Sequence, residues 1–315
     1  MTNWTLQRPT LDDASRTLDL IVRCDISEYG EPDTDLEDLL FEWDQIDLKR
    51  DAWLALTTQD ELAGYGAVLP WGEDLRYELY TDPTRGSEDL AQALLARCEQ
   101  RGLAIAAEGE GEEGVAAKIY VAHVNQRDRW LVERAGFRPG KHVSQMQIQM
   151  DSLPPVPDWP TGISVRIADP EQDARAIHEL IQAAFDRPDR RRQPFEEWRT
   201  YMMRSDIFAA DLWFLGIAGG EIVGACLCYE YPGQGWVRQL GVAARWRGRG
   251  LGTALLRHAF GELRLRGLAT VGLAVESLNP GAYAFYQGVG MKRVRQYDEY
   301  TKPLLPGDGA SSSAV

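Results

Sequence analysis

Three stretches from the first half of the chain recur, in the same order, in the second. Leu6-Gln7-Arg8 leading into Asp12-Asp13-Ala14 returns as Val165-Arg166-Ile167 leading into Gln172-Asp173-Ala174. Trp53-Leu54-Ala55 followed by Glu61-Leu62-Ala63-Gly64 returns as Trp213-Phe214-Leu215 followed by Glu221-Ile222-Val223-Gly224. Asn125 through Ala135-Gly136-Phe137 returns as Asn279 through Val289-Gly290-Met291. A self-similar chain of 315 residues is expected to fold as two copies of one supersecondary plan, each long enough to bury a core. The first match reads as a short strand running into a helix with an acidic first turn. The second reads as two strands joined by a tight turn, with Gly219-Gly220 in the later copy. Each half then runs strand, two helices, three strands, helix, strand, helix and further strand. That alternation predicts an α/β fold, a mixed sheet covered on its faces, with a ligand at the carboxyl end of a central strand.

Between the copies, Asp151 to Pro160 holds four prolines and cannot continue a helix or a central strand. The expected division is therefore 1–150, a linker at 151–161, a second domain at 162–304 and a flexible tail at 305–315. Glu108-Gly109-Glu110-Gly111-Glu112-Glu113-Gly114 reads as an exposed acidic loop. The formal net charge of -14 argues against nucleic-acid partners and gives no support to an anionic membrane surface. No apolar run is long enough to span a membrane and the N-terminus carries no signal-like segment, so the expected location is the cytoplasm. Cys24, Cys98, Cys226 and Cys228 lack metal-ligand spacing, and the four histidines form no pair, so the cysteines read as small buried hydrophobes and no metal is expected.

In the second half a strand, Trp236 to Val242, runs into Ala243-Ala244-Arg245-Trp246-Arg247-Gly248-Arg249-Gly250-Leu251-Gly252-Thr253. A helix follows, because Leu251, Leu255, Ala259 and Leu263 fall on one face. Glycines between a strand and a helix raise the entropic cost of folding, and close approach of the backbone to a ligand would justify them. The N–H groups of Arg249, Gly250, Gly252 and Thr253 could then converge on phosphate oxygens, assisted by the helix dipole and by Arg245, Arg247 and Arg249. The pattern is neither GxGxxG nor a loop ending in GK[ST], so dinucleotide and nucleoside-triphosphate folds do not fit.

Arg247-x-x-Gly250-x-Gly252, after a strand ending Leu240-Gly241-Val242, resembles the acetyl-CoA signature of the GCN5-related N-acetyltransferases. Ala274 to Tyr286, with Asn279 and Tyr286, is similar to that family's second CoA-side motif, and the duplication resembles its two-domain mycothiol synthase members. The resemblance covers most of the second half. It implies two tandem domains with mixed, largely antiparallel sheets, and acetyl-CoA as co-substrate. The implied reaction is acetyl transfer to a primary amine of a small molecule or peptide by direct attack in a ternary complex. The alternative is a non-catalytic acyl-CoA sensor. Leu240, Gly241, Val242, Arg247, Gly248, Arg249, Gly250, Leu251, Gly252, Thr253 and Asn279 become candidate CoA contacts, with the Val242 N–H or its neighbour as oxyanion donor. Tyr286 becomes the candidate general acid, since a phenol near pKa ~10 is protonated at neutral pH while a thiol near ~8.5 leaves as an anion. The strand before the loop carries no carboxylate, so Glu230 and Glu276 stand as candidates for base or amine positioning. Arg187-Pro188-Asp189-Arg190-Arg191-Arg192 reads as a solvated loop that would border the acceptor.

The first half departs from this pattern. Around Arg85-Gly86 the later glycines are missing, and Ser87-Glu88-Asp89 brings carboxylates where phosphate would lie. Val132 stands opposite Tyr286 when Asn125 is set against Asn279. The expectation is a first domain that keeps the fold and is not an efficient transferase.

Overall fold

The computed structural model describes residues 3–108, 114–187, 191–203 and 208–304. The acidic run at 109–113, residues 188–190 of the arginine-rich loop and the tail from 305 lie outside them. Two compact units are present: Met1–Val143 with Glu276–Leu278 and Arg295–Val315, and Ser144–Val275 with Asn279–Val294.

The first unit runs β1 (Trp4–Gln7), α1 (Ala14–Tyr29), α2 (Leu36–Asp44), the single turn α3 (Leu48–Asp51), β2 (Ala52–Thr57), β3 (Leu62–Trp71), β4 (Asp74–Thr81), α4 (Glu88–Glu108), β5 (Ala116–Ala122) and α5 (Gln126–Arg134). β6 (Arg138–Gln149) follows, and from Ser144 it belongs to the second unit. Neighbouring strands from β1 to β4 are antiparallel, and β4 and β5 are parallel. Apolar residues on one face of the sheet pack against α4 and α5, and those on the other against α1 and α2.

The second unit repeats the plan: β7 (Ser164–Ile167), α6 (Pro170–Ala184), α7 (Phe195–Met202), β8 (Trp213–Ala218), β9 (Glu221–Tyr231), β10 (Gln234–Val242), α8 (Leu251–Leu265), β11 (Thr270–Glu276) and α9 (Pro280–Gly288). The strand order is β7-β8-β9-β10-β11-β6, with β10 and β11 parallel. Leu251, Leu255, Ala259 and Leu263 are all fully buried, as their spacing predicts. Gly219 and Gly220 turn between β8 and β9 at φ 58° and 86°, a region that glycine enters without steric cost. Asn279 caps α9 and Asn125 caps α5, each side chain accepting a backbone N–H three residues on. The four cysteines are buried and unbridged, with Sγ atoms of Cys226 and Cys228 3.8 Å apart on one face of β9.

The final strand, β12 (Lys292–Pro303), belongs from Arg295 onward to the first unit, where Tyr297–Pro303 pairs antiparallel with β5. Sequence halves and compact units therefore differ by one exchanged strand: β6 closes the second unit and β12 the first. Residues 151–163 between them form neither helix nor strand.

Candidate active site

Parallel pairing of β10 with β11 covers only Gln234–Trp236, whereas antiparallel pairing with β9 continues to Val242 opposite Gly224. Among the described residues the last part of β10 thus has a strand neighbour on one side only. The register skips Arg238, a bulge that shifts the alternation: Val237 faces α8, and after the skip Leu240 and Val242 face it again. Ala243 N–H donates to the Val223 carbonyl at 2.9 Å, so strand alternation turns the N–H and C=O of Leu240 and Val242 to the open side. Gly241 faces the other way, where an added Cβ would meet Ile181 at 2.7 Å and Ala184 at 3.3 Å.

Beyond β10 a single 3-10 turn, Ala244–Trp246, leads to Gly248 at φ 71° and Gly250 at φ 84°. These two glycines are required by backbone conformation, since nothing lies within 4 Å of an added Cβ at either. Gly252 has an ordinary φ and room for a Cβ, with Phe285 and Val242 atoms 3.6 Å away. Ala254 is the first residue of α8 to donate within the helix, to the Gly250 carbonyl at 3.0 Å. No side chain caps the helix, so among the described residues the N–H groups of Leu251, Gly252 and Thr253 have no partner. The Leu251 side chain fixes this helix end by packing where Gly216 and Gly224 lack side chains. Uncapped donors and the helix dipole together favour an anion at this point.

The three arginines have separate roles. Arg245 pairs with Glu221. Arg249 is exposed, and its guanidinium lies 5.4 Å from the Trp246 ring centroid. Arg247 donates from Nε to the Val242 carbonyl and from Nη2 to the Ala184 carbonyl at the end of α6, both at 3.1 Å. Its own N–H bonds the Ala244 carbonyl at 3.2 Å. Arg247 therefore ties the loop to β10 and α6, a role that its place in the motif did not reveal.

Tyr286 sits on α9 against the apolar cluster under α8. Burial, with a smaller push from the nearby Cys226, raises its phenol well above the ordinary value, so it stays protonated across the physiological range. The hydroxyl has no hydrogen-bond partner among the described residues. Asn279 uses its side-chain oxygen to cap α9, accepting from the Ala282 N–H at 3.1 Å. Glu276 is ion-paired with Lys141 at 2.7 Å. Glu230 is paired with Arg266 at 3.2 Å and lies opposite Gly235, at the far end of β10 from Val242, roughly 20 Å along the strand. Neither carboxylate is gathered at the loop. At the bulge, Gln239 accepts from the Trp198 indole at 3.0 Å and Arg238 lies over Tyr201.

A crystal structure of a GCN5-related N-acetyltransferase from Sphaerobacter thermophilus superposes with a TM-score of 0.87, is 31% identical, and covers 99% of each chain. The chain belongs to the GCN5-related N-acetyltransferase family. The model of the acetyltransferase (GNAT) family matches this enzyme over residues 174–291, which takes in the loop, Asn279 and Tyr286. Mycothiol acetyltransferases of Paenarthrobacter aurescens and Actinosynnema mirum are 28% and 29% identical to it, over 75% and 68% of this chain and 73% and 69% of theirs. A tandem GNAT protein from the clavulanic acid biosynthesis pathway shares the fold at a TM-score of 0.73 and 16% identity, covering 97% of this chain and 100% of its own. This acetyltransferase is thus an acyl-CoA-dependent enzyme of tandem GNAT architecture. Among its described residues no helix is long and apolar enough to cross a membrane, and no group of three or more His, Cys, Asp or Glu could hold a metal ion.

Proposed function

We propose that the second unit transfers an acetyl group from acetyl-CoA to a primary amine of a small molecule or peptide, by direct attack within a ternary complex. The observation that carries this reading is the row of partnerless N–H groups at Leu251, Gly252 and Thr253, set directly after a strand with one open side. The diphosphate of CoA takes those donors, and the pantetheine arm pairs with the open side of Leu240 to Val242 as an added strand. Holding both reactants makes the attack effectively unimolecular. The Val242 N–H, turned to that open side, is the donor for the tetrahedral oxyanion. Tyr286, protonated and without a competing partner among the described residues, gives its proton to the departing thiolate. Arg247 and Asn279 act by fixing the loop and α9. The amine loses its proton through water, because Glu230 and Glu276 are each committed to a cation.

The relatives named mycothiol acetyltransferase make their acceptor the first amine to try. The test follows free-thiol release from acetyl-CoA with that acceptor and a panel of small-molecule and peptide amines. Amine-dependent release by the purified full-length chain supports the reading. A chain that binds acetyl-CoA and acetylates none of them refutes it.

A further inference from the structure

The two strand-to-loop junctions are built on the same frame and finished differently. Thr81 at the end of β4 pairs with Gly64, as Val242 at the end of β10 pairs with Gly224. The next residue in each case donates to the neighbouring strand at 2.9 Å, Asp82 to the Ala63 carbonyl and Ala243 to the Val223 carbonyl. Asp82 therefore stands where the second unit has an alanine methyl. Its side chain is 1% exposed. It accepts from the Thr84 N–H at 2.9 Å, the Thr84 hydroxyl at 2.8 Å and the Arg85 N–H at 3.0 Å. Arg23 Nε at 2.9 Å and Arg85 Nη1 at 3.1 Å complete the shell. Two backbone amides, a hydroxyl and two guanidinium groups are the donor set expected around a phosphate, and here a carboxylate fills it. Burial alone would raise this carboxyl, yet the donors bring it down to about 2.

The rest of the junction agrees. The Ser87 hydroxyl accepts the Leu90 N–H at 3.2 Å and so caps α4, where Gly250 leaves α8 uncapped. Glu88 and Asp89 in the first turn would repel a phosphate. From Asp82 to the cap is two residues shorter than from Ala243 to Gly250. Parallel pairing of β4 with β5 stops at Tyr77, leaving the same kind of gap as beside β10. Arg127 spans to Thr81 from α5 and is held by Asp128 at 2.8 Å, whereas the matching position on α9 is Gly281.

We propose that the first unit keeps an anion cradle formed by Arg23, Thr84 and Arg85, that the chain's own Asp82 occupies it permanently, and that, with Ser87 capping α4 and Glu88 and Asp89 in its first turn, each chain takes up one acyl-CoA. The stoichiometry rests on the reading of the second loop given above, and the cradle does not.

Two measurements on the full-length chain separate them. In Asp82→Ala, thermal stability is followed while inorganic phosphate replaces chloride at constant ionic strength. The variant should melt below wild type in chloride and regain about 3–5 °C more than wild type does at tenfold the phosphate dissociation constant. Adding Arg23→Gln should remove that extra response. A phosphate response equal to wild type, or a variant that is unfolded in chloride and that phosphate does not refold, overturns the cradle. In parallel, CoA bound per chain is counted by equilibrium dialysis of wild type and of Gly252→Asp, which places in the second loop the residue the first has at Asp89. One per wild-type chain and none in the variant support the proposal. Two per wild-type chain, or one retained by Gly252→Asp, overturn the self-occupied site. None in wild type refutes the transferase reading and the stoichiometry, while the phosphate titration still decides the cradle.

Discussion

Replacing Arg247 separates charge from geometry at the proposed CoA loop. Its guanidinium reaches two carbonyls that lie on different elements, Val242 on β10 and Ala184 on α6, each at 3.1 Å. Hydrogen bonds to a charged donor contribute about 1.5–3 kcal/mol when shielded, and Arg247 is exposed, so the pair should contribute only about 1–2 kcal/mol to stability. The effect on binding should be larger than that of one lost charge contact. Without the tie, the backbone from Arg247 to Gly250 must be ordered by the ligand, at about 1 kcal/mol for each of two or three residues. That predicts CoA affinity weaker by about 30–150-fold. Lysine keeps the charge but cannot reach both carbonyls in one plane, so Arg247→Lys should fail nearly as badly as Arg247→Gln. Calorimetric titration with CoA, repeated from low to high salt, reads both quantities. If Arg247 acts by position, the two variants lie within about threefold of each other and keep the wild-type salt slope. If Arg247→Lys binds CoA like wild type while Arg247→Gln does not, or if the slope flattens only in Arg247→Gln, the guanidinium acts on the diphosphate as a charge and the argument fails.

Tyr286→Phe should lower turnover by about 100-fold or more while CoA affinity and thermal stability stay near wild type, because the hydroxyl it removes has no partner among the described residues; unchanged thiol release would exclude it as the acid. Gly250→Ala should cost about 1 kcal/mol in denaturant melts, since φ is 84° there. Gly252→Ala should leave stability unchanged and weaken CoA binding, and equal behaviour of the two would contradict the separate reasons given for them. Glu28 in the first unit is raised to about 7, chiefly by burial, against Asn125 as a donor and with Asp128 and Asp25 adding to the push. A carboxyl raised on folding contributes stability that is present below its unfolded pKa and lost as pH rises through about 7. Glu28→Gln should therefore flatten the decline between pH 5 and 8 by about 1–2 kcal/mol, read from urea melts across that range; an unchanged profile would show that Glu28 is not its source. Ending the chain at Met291 removes β12 and the seven residue pairs it makes with β5, so the first unit should lose its cooperative melt. Residues 1–150 expressed alone lack the same strand and should fare no better.

What the sequence made legible, and what it did not, follows from the range of the interactions involved. The apolar stripe of α8 is local and was readable within a few residues, Leu251 to Leu263 on one buried face; the glycines stood out by spacing as places for close approach to a ligand, while the positive φ of Gly248 and Gly250 and the capping of α5 and α9 by Asn125 and Asn279 emerged only with the backbone. The repeat extended those local signals into a fold. The exchange of β6 and β12 was not readable, because both copies of a duplicated strand carry the same alternation and nothing in it names a partner sheet. The bulge at Arg238 was hidden for a related reason: it depends on how many residues of β9 lie opposite, and side-chain pattern does not count them. Arg247 was visible as a charge, but its carbonyl partners are backbone groups common to every residue and leave no trace in the sequence. The first loop shows the limit most clearly. Lost glycines and added carboxylates announced that it differs, and drew attention to Glu88 and Asp89. The residue that consumes its donors is Asp82, before the motif begins, where an acidic side chain at a strand end looks like any turn residue. If the second loop takes the diphosphate as proposed, phosphate binding depends less on which donors exist than on whether the chain leaves them unused. In the second unit a cation of the loop is tied to carbonyls of β10 and α6 and the first amides of the following helix stay free; in the first an anion holds the loop by its amides and Ser87 takes the Leu90 amide of the helix.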